Sequence, residues 1–315
     1  MKKLGVSLML FAITVSLSFS QGKKYELVLG TAGTSGTYYV VGAAMAQAID
    51  KASSKINVIV QPTKGSIENI NLVNNGDIQM GMSNADGVYW ATTGTGMYAS
   101  VGPMNLKAVM SLYMSAGHMI ARADSNIRTY ADLKGKKVCL GPPGQTVVEM
   151  SKAILKAYGI DPQKDIKPYY LSIDEGLGKL KDGEIDATFW VAGIPTAGLI
   201  NASATTNLKF VTASDEILTR VAKENPYYSK YTIPANTYKG QTNSVETLKI
   251  MTELFVNSKV PDDVVYEFVK LALELQPQYV SSHVVIKDIT PENAASCVSP
   301  MHPGALRYFK EKGLR

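Results

Sequence analysis

The sequence predicts an α/β chain built as two similar lobes around a cleft. Three observations lead there. Strand-like and helix-like segments alternate along most of the chain, the pattern of a mostly parallel sheet covered by helices. The alternation runs twice, and the segments NNGDIQMGM and KDGEIDATF occupy matching places in the two runs. The 315 residues are too many for one compact domain and fit two of ordinary size.

The first run begins with residues 25–30 (YELVLG), read as a strand. The loop TAGTSGT follows, then a helix in which Tyr38, Val41, Met45 and Ile49 recur on one face. Residues 56–61 (INVIVQ) are the second strand. The turn PTKGS leads into a short helix with Ile67, Ile70 and Val73 on one side. It stops at NNGD, and IQMGM is the third strand. The stretch 106–124 (LKAVMSLYMSAGHMIARAD) is a strand that carries the chain across to the second lobe.

The second run begins with KKVCL at 136–140 and the loop GPPGQ. Its first helix carries Val147, Met150, Ile154 and Tyr158 on one stripe, with Gly159 as its stop. KPYYL (167–171) is the next strand. Ser172 and Glu175 form a capping box for a helix ending at Asp182-Gly183, and EIDATFW is a strand again. After Pro261, the stripe Val264, Phe268, Leu271 and Leu275 predicts a final helix that packs the lobes or the hinge.

Composition narrows the function classes. With 45% hydrophobic and 19% charged residues the chain is globular. The net charge of +5 is spread along the chain without an Arg-rich arm, which disfavours nucleic acid as a partner. Two Cys are too few for a disulfide scaffold. Cys139 sits in a strand-like run and Cys297 in a polar turn; pairing across that distance is not readable, and two separate buried thiols are favoured. Three His without a Cys-x-x-Cys leave little for zinc, and no cofactor or metal is expected. At the N-terminus, Lys2 and Lys3 precede the apolar run Leu4 to Phe19, and Ser18 and Ser20 are small residues before a cut between Ser20 and Gln21. The run is short for a membrane span, so residues 1–20 are expected to be a cleaved signal peptide.

Ligands of open α/β sheets gather at the carboxyl ends of strands. The loops there are GTAGTSGTYY, QPTKGSIEN, LGPPGQTVV and LSIDEGLG. Each sets glycines, amides or hydroxyls at a helix N-terminus, where free N–H groups and the helix dipole favour an anion such as a carboxylate or phosphate. Gly33, Gly36, Gly65 and Gly144 allow close approach, and Ser35, Thr37, Ser66 and Thr146 add neutral donors. One such loop alone is helix capping; four at matched positions point to a shared site. No phosphate loop, G-x-S-x-G or H-E-x-x-H is present. His118 lies among apolar residues and reads as core, His302 as part of a rigid turn, and His283 has no visible partner. Asp174-Glu175 and Asp262-Asp263 sit where acids cap helices. Tyr38, Tyr39, Tyr89, Trp90, Tyr113, Phe189 and Trp190 lie beside the cleft loops, as cleft wall or as lobe core.

Six segments then carry a family resemblance: GTSGTYYVVGAAMAQAI, TKGSIENINLVNNGDIQMGMSNAD, ADLKGKKVCLGPPG, LKDGEIDATFWVAGIPT, YTIPANTYKGQ and PMHPGALRYFKEKG. In this order they resemble the TAXI branch of periplasmic receptors for tripartite ATP-independent (TRAP) transporters. The resemblance implies a two-lobed type II periplasmic-binding-protein fold, each lobe a mixed, mostly parallel sheet flanked by helices. Lobe 1 would hold residues 21–118 and 246–315, lobe 2 residues 119–245, with crossing strands near 110–122 and 245–256. It further implies a periplasmic receptor without enzyme activity that closes on one small carboxylate, such as glutamate or 2-oxoglutarate, and delivers it to a TRAP-type permease. Ligand contacts carry over to Ser35, Gly36, Thr37 and Tyr38, to Gly65 and Ser66, to the Ser83-Asn84 loop, to Gly144, Gln145 and Thr146, and to Phe189, Trp190 and Gly193. Lys64, Gln145, Asn236 and Lys239 depart from the family pattern and bear on which ligand is bound. Arg122 and Arg128 lie at the crossover and are given no ligand role. The same fold also serves ATP-driven importers, for example of a thiamine-precursor type. An enzyme on this fold would need an acid, base or metal that the cleft loops do not display.

Overall fold

The computed structural model describes residues 24–34, 36–142 and 145–315. The expected signal peptide, Ser35 and Gly144 lie outside them.

The first run folds as β1 (Tyr25–Gly30), α1 (Thr37–Ala52), β2 (Ile56–Gln61), α2 (Ser66–Asn75) and β3 (Met80–Asn84). Helix α1 buries Val41, Met45 and Ile49 as the periodicity requires. Helix α2 ends where Gly76, at φ 86°, turns left-handed and returns its N–H to the carbonyls of Leu72 and Val73. Helix α3 (Ala85–Thr93) follows β3 without a break. Ser83 and Asn84 are therefore the last residues of a strand, not a loop.

Strand β4 (Leu106–Arg122) is the long crossing strand. Beyond it come β5 (Lys137–Cys139), α4 (Val147–Ala157), β6 (Lys167–Tyr169), α5 (Ile173–Lys181) and β7 (Ala187–Ala192). The capping box of α5 forms: Glu175 N–H donates to Ser172 Oγ, and Ser172 N–H to Glu175 Oε2. Then follow α6 (Ala197–Thr205), β8 (Leu208–Phe210), α7 (Asp215–Glu224), β9 (Ser229–Ile233) and the second long strand β10 (Val245–Asn257). The chain closes with α8 (Asp262–Glu274), α9 (Gln276–Tyr279), α10 (Pro291–Ala294) and α11 (Pro303–Glu311).

All strands join one ten-stranded sheet in the order β2-β1-β3-β10-β4-β7-β5-β6, with β8 on β4 and β9 on β10. The first three strands of each run pair parallel, β1 with β2 and β3, and β5 with β6 and β7. The middle is antiparallel, since β4 and β10 run against each other and against the third strand of each run. The sequence repeat thus becomes a structural one, β2-β1-β3-β10 mirrored by β6-β5-β7-β4. Two long strands, β4 and β10, run through both halves.

Apolar residues gather on either side of this seam. One core lies among β1, β3, α1, α8 and α11; others lie under α4, α7 and β7 and between α5 and α6. Helix α8 packs against α1 and α11, inside the first core, and touches the crossing strand β4. It buries Val265, Phe268, Val269 and Ala272, while Val264, Leu271 and Leu275 are only partly covered. The predicted stripe is rotated because α11 covers a flank that a lone amphipathic pattern leaves to solvent. Cys139 and Cys297 are buried, free thiols in different cores.

Candidate functional site

Between the two halves lies a cleft of about 450 Å³. The first half supplies Gly36, Thr37 and Tyr38 from the start of α1, Gly65 and Ser66 from the start of α2, and Asn84 from the end of β3. The second supplies Gln145 and Thr146 from before α4, and Trp190 and Gly193 from the end of β7. These ten sequence-predicted residues line one space because each lies at a strand end or helix start facing the seam.

Two predicted residues do not line it. Ser83 is fully buried, and its hydroxyl donates to the Asn84 carbonyl at 3.0 Å. Phe189 is fully buried in the second core; strand alternation puts its neighbour Trp190 on the cleft side instead. Phe189 packs over Gly117, where a Cβ would stand 2.8 Å from its ring.

Four helix starts facing the cleft share a property that α5, capped by Ser172 at the rim, does not. Gly36, Gly65, Thr146 and Thr196 stand at the N-caps of α1, α2, α4 and α6 without a side-chain cap bond. Away from the cleft, Ser214 caps α7 with its hydroxyl. First-turn N–H groups have no partner inside their own helix, so uncapped starts leave donors for an anion. At Gly65, φ is 102°, a backbone conformation that glycine adopts without strain, and the α2 start there faces Gln145 on the opposite wall.

A hydrogen-bond chain already crosses the cleft, its second link joining the two halves. Tyr38 OH donates to Asn84 Oδ1 at 3.1 Å, and Asn84 Nδ2 donates to Thr146 Oγ1 at 3.0 Å. Asn84 is the N-cap of α3, yet its amide makes no cap bond and spans the two halves instead. Burial pushes the Tyr38 phenol up to about 12, which keeps it protonated as a neutral donor.

Several lining residues were not assigned as contacts from the sequence. Tyr113 and Ser115 lie two apart on β4 and share its cleft face. Asp174 is at the rim; Ser172 and Glu175 perform the capping, which leaves its exposed carboxylate beside the cleft. Thr196 follows the turn after β7, and His283 and Val285 arrive from the C-terminal segment. His283 Nδ1 accepts from Val285 N–H at 3.3 Å, and burial holds the ring's pKa below the usual range, so the neutral ring carries its proton on Nε2. Strand alternation in β4 offered a signal for Tyr113 and Ser115; nothing local marked His283.

No Lys or Arg is among the described residues that line the cleft. Arg122 pairs with Asp124 at 3.2 Å, away from it. His118 is core: fully buried, 3.1 Å from Tyr238 OH, its pKa pushed down to about 4 by burial. His302 caps α11 through Nδ1. Among the described residues, no group of three His, Cys, Asp or Glu is placed to hold a metal.

The model of the NMT1-like family matches residues 29–313. Among solved structures, the periplasmic aliphatic sulphonate binding protein SsuA from Escherichia coli aligns over 91% of this chain and 79% of its own, at 16% identity and TM-score 0.51. A binding protein component of an ABC phosphonate transporter from Pseudomonas aeruginosa aligns over 82% of this chain and 79% of its own, at 12% identity and TM-score 0.51. A Streptococcus mutans structure described for glutathione import via GshT and the cystine ABC importer TcyBC aligns over 85% of this chain and 95% of its own, at 15% identity and TM-score 0.53. At such identities the likeness concerns the fold, which is the two-lobed α/β fold of periplasmic binding proteins.

Proposed function

The chain belongs to the NMT1-like family, and on that premise we propose that it is an extracytoplasmic solute receptor for a small oxyanion, in the first place a carboxylate. The observation that carries this reading is the cleft between the halves, with uncapped helix starts on both walls. A ligand touching both walls gains contacts only when they approach, so it favours the closed arrangement. Rotation about β4 and β10 is the simplest route, with lobe 1 taken as residues 21–118 and 246–315 and lobe 2 as 119–245. Ser35 and Gly144 belong to the same two loops and are assigned to the contact set with their neighbours.

The structural neighbours support an acidic ligand, since their descriptions name a sulphonate, a phosphonate transporter and glutathione import. Asp174 at the rim adds a place for an ammonium group, which favours glutamate over 2-oxoglutarate. Two of these descriptions name ABC importers, so an ATP-driven importer is the partner proposed, ahead of the TRAP permease that the segment resemblance implies. The N-terminal segment fits export, and no helix among the described residues is long and apolar enough to cross a membrane. No catalytic role is assigned to the cleft residues.

Calorimetry of the mature chain against carboxylates, sulfonates, phosphonates, amino acids and uncharged sugars tests this. An acid should bind with a smaller radius of gyration in small-angle scattering. A sugar or a simple amine as the best ligand overturns the oxyanion reading, and saturation without compaction overturns closure.

A further inference from the structure

Asp86, in the first turn of α3, is a carboxyl 1% exposed and without a cation in contact. Its Oδ1 accepts from Gly87 N–H at 2.7 Å and its Oδ2 from Tyr228 OH at 3.1 Å; Thr146 stands beside them, its Cγ2 3.2 Å from where a Cβ on Gly87 would lie. Gly87 belongs to the first half. Tyr228, which precedes β9, and Thr146, which starts α4, belong to the second. Thr146 also lines the cleft and accepts from Asn84 at 3.0 Å. Beside this knot, Trp90 Nε1 donates to Tyr227 OH at 3.0 Å, again from one half to the other.

The groups facing Asp86 supply no positive charge. Glu149 on α4 is the nearest acid, paired with Lys152 at 2.8 Å. Tyr227 and Tyr228 face it from the turn before β9, and Tyr38 from α1; burial raises all three phenols, which stay neutral. An ionised Asp86 therefore stands in a dry seam beside another acid, held by neutral donors alone.

We propose that Asp86 is a positioning residue of the cleft, a carboxyl that ties the second half to the first through Tyr228, beside the Thr146 wall, and takes up one solvent proton as the halves close. The proposal rests on the receptor reading, in which the halves part and close. With the seam shut, burial pushes Asp86 up to about 7, whereas water in a parted seam returns it toward the ordinary carboxylate range. The closed arrangement then binds more protons than the open one and gains ground as pH falls, by a limiting factor of about ten per pH unit below that midpoint. A protonated carboxyl keeps an acceptor oxygen and gains one O–H donor, so the contact to Tyr228 persists.

The test uses the full mature chain without ligand, in small-angle scattering from pH 8 to pH 5. The wild type should contract as pH falls through about 7, and Asp86→Asn, neutral at every pH, should not respond. Tyr228→Phe removes a hydrogen bond that favours the ionised form, so its contraction should begin at higher pH; a purely structural loss would loosen the seam without moving the midpoint. Calorimetry with L-glutamate, 2-oxoglutarate and methanesulfonate, in buffers of differing ionisation heat, should show proton uptake near pH 7 for the wild type and none for Asp86→Asn. Equal pH responses in wild type and Asp86→Asn overturn the proposal. Tight probe binding and compaction without proton uptake overturns it and leaves the receptor reading standing. No compaction with any probe or pH overturns both.

Discussion

Among the described residues, Glu253 is the second carboxyl buried without a cation partner. It lies on β10, fully buried, and pairs across the sheet with Ser83 and Ser111. Ser299 OH donates to its Oε2 at 2.7 Å and Val298 N–H to its Oε1 at 3.2 Å, which ties the segment after α10 to the crossing strand. Burial dominates these bonds and pushes the carboxyl from 4.5 up to about 7. A folded value above the unfolded one means that the folded chain holds the proton longer. Stability is therefore highest below about pH 4.5, falls as pH rises toward about 7, and is flat above. The lost amount is on the order of 3 kcal/mol, at about 1.4 kcal/mol per tenfold change in the proton equilibrium. Glu253→Gln removes the charge and keeps one acceptor oxygen. Urea unfolding at pH 5 and pH 8 should show the wild type losing stability between them by an amount that Glu253→Gln reduces by roughly 2–3 kcal/mol, with the variant the more stable at pH 8. Identical losses in the two proteins would refute the reasoning.

Thr37→Ala should weaken binding of an acid ligand about tenfold or more, because a hydrogen bond to a charged acceptor is worth about 1.5–3 kcal/mol; calorimetry reads it. Ser53→Ala, at the far end of α1, should leave affinity unchanged yet lower stability by about 1 kcal/mol, since its hydroxyl accepts from Lys55 and Ile56 N–H. Gly304→Ala should cost several kcal/mol in denaturant unfolding, because a Cβ there would stand 2.2 Å from the Asp262 carbonyl oxygen and push α11 off α8.

The two α/β runs were legible because each short segment carries its own signal. Val41, Met45 and Ile49 recur at helical spacing, Ser172 and Glu175 cap α5, and glycines stop α2 and α4. The cleft residues at helix starts were legible for the same reason, since loop, cap and strand end are neighbours in sequence. What the sequence hid is non-local. His283 and Val285 reach the cleft only because the C-terminal segment returns to it, and their stretch shows no periodicity that says so. Gly193 marks that return: a Cβ there would stand 2.9 Å from Val285 Cγ1. The α8 stripe was misread because its burial depends on α11, which follows nearly thirty residues later. The family resemblance placed Ser83-Asn84 in a loop, yet β10 pairs with both and makes them strand.

On the proposed reading, a cleft for an anion without Lys or Arg among its described lining residues would place its selectivity in geometry. A guanidinium attracts any anion from a distance and remains charged whether the halves are open or closed. Uncapped N–H groups act within the first turn, so those on α1 and α2 meet those on α4 and α6 around one oxyanion only when the walls approach. Affinity and closure then become a single quantity, and an anion too large for the closed space loses both. Asp174 sharpens the choice, since its exposed carboxylate repels a second negative charge at the rim and attracts an ammonium group. A receptor of the proposed kind would thus read how charge is arranged on the ligand rather than how much it carries. Asp174→Asn should accordingly narrow the gap between L-glutamate and 2-oxoglutarate in calorimetry. An unchanged gap would remove Asp174 from recognition while leaving the helix starts as the anion site.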